Sequence, residues 1–432
     1  MDTINNQEKT IMTMNTYTTF EYILIATANA YGLDKKPFEE RIQFMLDNGK
    51  RLRAIACDAE DYHLWMKGVM EIERCLNDRN YLTGLRVDLD ATASGVQMLS
   101  VLCACITSAS RVGLVDPTKR CDVYTDLQDF MNKHLPDDRQ IGANGSNFTR
   151  DDLKQSFMTH WYGSSAKPRE VFGDGTMEYN AFYDSLEEMC PGVMELYNDI
   201  AGAVYDEATE YSWSLPDGAE ITTPVMLTVD KRVKVEELGS SFTHRMQVNL
   251  ADDKYCAVLA NVTHSVDGMM IRECCDRIDY NQRKVTKLRD SLVNGTAKSL
   301  GMTDKNMDKL NRMINIATES KFVSARFTTM FNEYNAGMLP DWLKDKVIEL
   351  CNKILAHPRS PMSSVHDAFG VLPYACNGLR YHYADVLACV AESDTCQFIL
   401  RGLYNDKSLR YTKQTNGKEL AVFIRNSNYS LS

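Results

Sequence analysis

VDLDATASGVQM, residues 87–98, changes its period half-way. Leu85, Val87 and Leu89 alternate with Arg86, Asp88 and Asp90, the two-residue period of a strand with one face in a core. From Gly95 to about Ser108 the residues run on largely apolar without alternation, as in a buried helix. Asp90 therefore ends a strand and is followed by small residues. A second aspartate has the same setting. SSVHDAFGVLP, residues 363–373, reads as a hairpin turning at His366-Asp367. Two aspartates far apart in sequence, each beside small residues on a short strand, suit a two-metal phosphoryl-transfer site, where hard carboxylate oxygens hold Mg²⁺. Taken singly, either reads as a surface or capping residue. Their company decides the matter.

That company is RDDLKQSFMTHWYG, residues 150–163. Arg150, Lys154, Met158 and Tyr162 recur at intervals of four and share one slowly drifting helical stripe. At about 1.5 Å per residue, Lys154 and Tyr162 lie about 12 Å apart, comparable to the span of a nucleotide from triphosphate to base. The basic end suits phosphate and the aromatic end suits sugar and base. A solvated basic helix end with Met158 and Tyr162 in the core is the bland alternative, and Gly163 and Ser164 closing the helix weigh against it.

Around these motifs the chain is ordinary. Of 432 residues, 44% are hydrophobic and 25% charged, which excludes disordered and fibrous classes. The 13 cysteines have neither disulfide nor zinc-finger spacing and read as reduced thiols. The polar N-terminus carries no signal peptide, and the most apolar run, VQMLSVLCACITSA, is too short for a bilayer, so no membrane role is expected. A net charge of -11 is awkward for a nucleic-acid binder, because Lys and Arg supply most non-specific affinity for phosphate. The charge is uneven, however. Residues 282–321 carry nine Lys or Arg against four acids, a local net of +5.

Helical patterns are also expected over 17–80, with a loop at YGLDKKPF, over 179–211, and over 281–357. WSLPDG, residues 213–218, suits a turn, and alternating segments at 221–236 and 242–250 flank Gly239 and Ser240 as a hairpin. GDG at 173–175 lacks the remaining glycines of a dinucleotide fingerprint.

Taken together and in order, GLDKKPFEERIQF, DATASGVQ, RDDLKQSFMTHWYG, WSLPDG, HSVDG and VHDAFG resemble the motifs of the single-subunit, bacteriophage- and mitochondrial-type DNA-directed RNA polymerases, over roughly residues 20–280 and 360–375. The resemblance implies an α/β (α+β) right-hand fold, mostly helical with a small antiparallel palm sheet. It implies a first palm part over 1–115, fingers over 116–263 including the 221–250 hairpin, and a second palm part over 264–432 with a basic helical insertion at about 281–345. By the same resemblance, Asp90 and Asp367 ligate two Mg²⁺ ions, and Lys35, Arg150 and Lys154 contact the incoming triphosphate. Tyr162 and His264 sense the ribose, Met158 shares the nucleotide site, and Gly163 and Ser164 adjoin the template base. Lys35 also reads as a loop lysine, and His264 as a satisfied core histidine.

Related DNA polymerases carry glutamate five residues after the first catalytic aspartate, where it blocks a 2′-hydroxyl; Gly95 stands there in this chain. They usually follow the last aspartate with glutamate, where this chain has Ala368. Met98 replaces the family's common histidine. The resemblance thus implies template-directed transfer of nucleotides from NTPs to an RNA 3′-end on a DNA template, in the infected-cell cytoplasm. A DNA polymerase or primase-like enzyme, and a degenerate scaffold that only binds DNA, are the rivals. The hairpin at 221–250, with Lys231, Arg232, Lys234 and Arg245, occupies the place of the family's promoter-reading loop, or is a plain solvated hairpin. The family's N-terminal domain, thumb and hybrid-gripping segment precede the part matched by GLDKKPF, so a second polymerase chain supplying them is expected, packed along residues 1–80. A single-stranded-DNA-binding or promoter factor is a further expected partner.

Overall fold

The computed structural model describes residues 14–142, 148–252, 257–300 and 304–432. Its secondary structure is mainly helical. Among the described residues the strands are β1 (Val87–Asp90), β2 (Glu210–Ser214), β3 (Glu220–Pro224), β4 (Met226–Val235), β5 (Ser240–Asn249), β6 (Ser363–Val365) and β7 (Ala368–Val371). They form one three-stranded sheet in the order β1-β7-β6 and two hairpins, β2-β3 and β4-β5, all antiparallel. A largely helical α/β fold with small antiparallel sheets is what the resemblance implies.

The three-stranded sheet lies on the main hydrophobic core. Val87 and Leu89 are fully buried on one face while Asp88 and Asp90 are exposed on the other, as the alternation in the sequence requires. Gly370 in the central strand lets Asp88 and Arg86 lie close over it: a Cβ there would come within 2.4 Å of the Asp88 carboxylate and 2.7 Å of Arg86, and both exposed side chains would have to shift. Beyond β1, the Asp90 N–H donates to the Ser432 carbonyl at 3.2 Å, and the Ser432 N–H returns a bond to the Asp90 carbonyl at 3.0 Å. The last residues of the chain thereby extend the sheet at the point where Asp90 sits.

Helices Ser94–Leu102, Ala257–Ile278 and Cys376–Glu392 pack on this sheet within the same core. A second core is formed by residues 280–354 alone, with Leu288, Phe327, Leu343 and Val347 wholly buried. The third joins helix Thr19–Ala28 to helix Tyr62–Asn77 around Trp65.

Several boundaries differ from the sequence patterns. The helix expected over 179–211 is two helices, Met177–Met189 and Pro191–Ala201, and Tyr211 lies in β2. Pro191 opens the second helix, where its missing N–H costs nothing but cannot extend the first. The run from Gly95 to Ser108 is likewise interrupted: the helix stops at Leu102 and a second starts at Ile106, with Ala104 at φ +51 between them. The alternating stretch 221–236 serves two hairpins, because β3 pairs back onto β2 and β4 pairs forward onto β5. Residues 301–303 of the helical region expected over 281–357, and residues 1–13 of the expected partner surface, lie outside the described residues.

Candidate active site

Asp90 faces Ala368 across the β1–β7 register, and the Ala91 N–H donates to the Asp367 carbonyl at 3.2 Å. The two aspartates are therefore neighbours at the end of one strand pair, although most of the chain lies between them. His366 closes the β6–β7 turn in the left-handed region, at φ +54, a conformation that costs a non-glycine residue of order 1 kcal/mol. Asp90 and Asp367 both line a cleft of about 320 Å³, and Lys35, Arg150, Lys154, Met158 and Tyr162 line it with them.

Burial, and next the charge of Asp367, raise the Asp90 carboxyl above the usual carboxylate range. A like-charged pair of this kind is relieved by a cation between its members. No cluster of three or more His, Cys, Asp or Glu side chains suited to a metal occurs among the described residues. Of the aspartates lining the cleft, Asp34 and Asp122 pair with Lys35 and Arg150, while Asp90 and Asp367 are hard carboxylates of the kind that hold Mg²⁺ together with water and phosphate.

Helix Arg150–Trp161 forms the opposing wall. Thr149 caps it and Asp152 completes the capping box, which fixes the first turn. Leu153, Phe157 and Trp161 go into the core, leaving Lys154 and Met158 exposed. Gly163, at φ +82, ends the helix: its N–H donates to the His160 carbonyl at 2.8 Å, and the Ser164 N–H to the Thr159 carbonyl at 3.0 Å, an αL stop that glycine adopts without strain. Gly163 and Ser164 do not line the cleft; they set the position of Tyr162 at its rim.

The cationic end is more tightly paired than its sequence suggests. One Arg150 nitrogen lies 2.9 and 3.0 Å from the Asp122 carboxylate oxygens, and the guanidinium lies 5.2 Å from the Tyr124 ring centroid. Burial alone would raise Asp122, but the Arg150 hydrogen bond and charge hold it below the ordinary range. Lys35 follows a π-helical turn, Asn29–Leu33, that bends at Gly32 with φ +99, and it pairs with Asp34. Arg120 donates to the Lys35 carbonyl at 3.1 Å. Arg120, Asp122 and Tyr124 line the same cleft. Sequence reasoning missed all three: the polar, turn-rich look of residues 116–147 hid helix Val123–His134, which Asp122 caps and whose apolar Val123, Leu127 and Met131 recur at helical spacing.

Tyr162 is held from a third element. His264 and Asp267 lie one turn apart on helix Ala257–Ile278. The His264 ring stacks on Tyr162 at 4.5 Å with a 17° interplanar angle, and the Tyr162 hydroxyl donates to Asp267 at 3.4 Å. Gly95 lies beneath that hydroxyl: a Cβ there would be 3.2 Å from the oxygen. His264 and Asp267 belong to an adjoining cavity of about 490 Å³ that shares Met158, Tyr162 and Asp367 with the first. Burial, and next Asp367, push the Asp267 carboxyl up to about 7. Burial, followed by Asp267, raises the Tyr162 phenol. Burial, followed by His366, lowers His264.

Comparison with known proteins points to DNA-directed RNA polymerases. A family model described as DNA-dependent RNA polymerase matches residues 15–170, the part that holds Lys35, Asp90, Gly95 and the Arg150–Tyr162 stripe. The DNA-directed RNA polymerase of Pseudomonas phage phiKMV is 23% identical over 262 residues, covering 50% of this chain and 32% of the relative. DNA-directed RNA polymerase 1, mitochondrial, of Arabidopsis thaliana is 23% identical over 303 residues, 59% of this chain and 31% of the relative. A probable DNA-directed RNA polymerase of Neurospora crassa is 25% identical over 159 residues, 33% of this chain and 17% of the relative. The chain thus spans about a third or less of each of these relatives. Over these stretches the chain is similar to phage- and mitochondrial-type DNA-directed RNA polymerases.

Proposed function

We propose that this chain carries the active site of a DNA-directed RNA polymerase acting in phage transcription, transferring nucleotides from NTPs to an RNA 3′-end as a DNA template directs. One observation carries the reading: Asp90 and Asp367 line one cleft with the Arg150, Lys154 and Tyr162 stripe. In this reading the β1-β7-β6 sheet is the palm and helix Arg150–Trp161 belongs to the fingers. Asp90 and Asp367 hold two Mg²⁺ ions, which when bound activate the attacking 3′-hydroxyl and neutralise the leaving pyrophosphate. Lys35, Lys154 and Arg150 attract and align the triphosphate in a protein that is otherwise net acidic. Tyr162 and His264 meet the sugar and base at the far end of the stripe. Positioning and charge complementarity supply most of the rate in such a site.

The test is extension of a labelled RNA primer on a DNA template with Mg²⁺ and each rNTP in turn. Addition that follows the template base is the expected outcome, and no addition, even with a complementing thumb-bearing chain, would sink the proposal. A strong preference for dNTPs would favour the DNA polymerase reading; the lack of a side chain at Gly95, beneath the Tyr162 hydroxyl, favours ribonucleotides. DNA binding without Mg²⁺-dependent incorporation would favour a scaffold.

Further parts of the proposal concern partners. A second polypeptide is expected over the surface where Leu46, Leu64, Leu76 and Leu82 are 55–91% exposed, and a permanent interface there would bury more than about 2,000 Å². The 282–321 segment is assigned to nucleic-acid contact. Lys287, Arg289 and Arg312 are paired with Glu333, Asp290 and Glu220, so Lys284, Lys305 and Lys309 are the residues to reverse. A flatter salt dependence of DNA binding is expected, and an unchanged slope would count against the contact.

A further inference from the structure

We infer that Asp267 is a positioning residue for sugar selection: by accepting the Tyr162 hydroxyl proton, it turns the phenol oxygen's lone pairs toward a ribose 2′-hydroxyl. The inference rests on the polymerase reading and assigns a role to a residue that is not in contact with the triphosphate end of the cleft.

Three observations converge on one atom. The Tyr162 hydroxyl donates to Asp267 Oδ2 at 3.4 Å. His264, one turn before Asp267 on the same helix, stacks on the Tyr162 ring at 4.5 Å, so the ring plane and the hydroxyl are both gripped by helix Ala257–Ile278. Gly95 leaves the space beside the hydroxyl clear, with the position of a Cβ only 3.2 Å away. A phenol has one O–H to give and two lone pairs to offer. Committed to Asp267, the proton is unavailable to the sugar, and the oxygen faces the cleft as an acceptor. A ribonucleotide brings a 2′-hydroxyl donor that completes this arrangement; a deoxyribonucleotide brings none, and one lone pair of an oxygen whose other partner is the Ser94 hydroxyl goes unfilled on desolvation. Discrimination then depends on Asp267 although Asp267 does not touch the nucleotide.

Besides His264 and Asp267, helix Ala257–Ile278 lines this cavity with Gly268, Met270 and Ile271, so Asp267 is its one carboxylate there. A carboxylate placed there for solubility has no evident purpose, whereas one placed to fix a buried hydroxyl does. The long bond fits a contact that tightens when the nucleotide closes the site, as catalytic hydrogen bonds commonly do.

The experiment compares kcat/KM for ATP and dATP in primer extension by the full chain with whatever partner extension requires. Asp267→Ala is expected to lower the ATP-to-dATP ratio roughly tenfold, the scale of one lost hydrogen bond to a charged group, mainly by lowering kcat/KM for ATP. Asp267→Asn, which keeps an acceptor oxygen, is expected to retain most of the ratio. Asp267→Ser, too short to reach Tyr162, is expected to behave as alanine does and replaces it should that variant fold poorly. In a Tyr162→Phe background, Asp267→Ala is expected to change the ratio no further, which a merely structural role would not give. An unchanged ratio in the alanine and serine variants, or an equal drop in the Tyr162→Phe background, overturns this inference and leaves the polymerase reading standing. Absence of template-directed incorporation by the unsubstituted chain overturns both.

Discussion

The Tyr162 hydroxyl lies directly over Gly95, so near that a Cβ on residue 95 would sit 3.2 Å from the oxygen and 3.4 Å from its ring carbon. Gly95→Ala therefore sets two effects against each other. Within helix Ser94–Leu102, alanine gains about 1 kcal/mol in helix propensity over glycine, while Tyr162 must move by a few tenths of an ångström. Stability is expected to stay within about 1 kcal/mol of the parent. Ribonucleotide incorporation is expected to fall severalfold, and Gly95→Glu to abolish it. Thermal unfolding read beside primer extension checks this; full activity in Gly95→Glu would remove Gly95 from the sugar pocket.

Asp367→Asn removes a charge that raises its neighbour Asp90. The fold loses no hydrogen bond of the sheet, since Ala91 bonds to the Asp367 carbonyl and not to its side chain. The variant should unfold at the parent's temperature or slightly above, while template-directed incorporation drops by more than about a thousandfold. Retained incorporation would exclude Asp367 from the reaction centre.

A third prediction concerns the ties between the helices behind the sheet. Asp385 accepts from Arg277 at 2.9 Å, Lys353 at 3.0 Å and Arg425 at 3.2 Å, and it is 2% exposed, while Arg277 is 1% exposed. Burial opposes ionisation of Asp385, but these three cations hold its carboxyl far below the ordinary range. Asp385→Asn leaves Arg277 buried with less compensation, and breaking such a pair typically costs about 3–5 kcal/mol. Lys353 lies on helix Asp341–Leu355, within the second core, so this contact also ties residues 280–355 to the rest. Denaturant unfolding of Asp385→Asn should show a loss on that scale; a loss under about 1 kcal/mol would mean that the network contributes little.

The site was legible in sequence wherever a local period carried it. Asp90 could be placed because Val87 and Leu89 alternate with it, and Lys154, Met158 and Tyr162 because a spacing of four is one helical face. Asp267 was not found, though it lies within HSVDG beside a residue that was singled out. An aspartate in mid-helix reads as solvated, and only the packing of helix Ala257–Ile278 against Tyr162 gives it a partner. Arg120 and Asp122 stayed hidden for another reason: they stand just before helix Val123–His134, which Asp122 caps, and their place in the cleft is set by contacts to Lys35 and Arg150 far away in sequence. In the fold, the turn at Pro216 and Gly218 was visible and β3 falls almost wholly within the alternating stretch 221–236, but β2 was missed. Tyr211 and Trp213 owe their strand conformation to pairing with Thr223 and Ile221, which propensity does not see. Pairing of Ser432 with Asp90 is equally non-local.

The last prediction follows from His160, on the buried side of the helix that carries Lys154. His160 is 3% exposed, its Nε2 has no hydrogen-bond partner, and its ring stacks on Tyr197 at 4.9 Å with a 9° interplanar angle. Burial lowers it to about 4, against about 6.5 in an unfolded chain. Between these values the unfolded state binds a proton that the folded state refuses, so stability rises with pH across this window. The contribution is fully present above pH about 6.5 and is lost as the pH falls toward 4, in all roughly 3 kcal/mol at about 1.4 kcal/mol per pH unit. His160→Phe keeps a ring in the same aromatic cluster and removes the titration. Unfolding free energies of parent and variant measured from pH 7 to pH 4 should therefore diverge as the pH falls, with the variant gaining on the parent. Parallel curves would mean that His160 is protonated in the folded chain, and that its unpaired nitrogen finds a partner in solution.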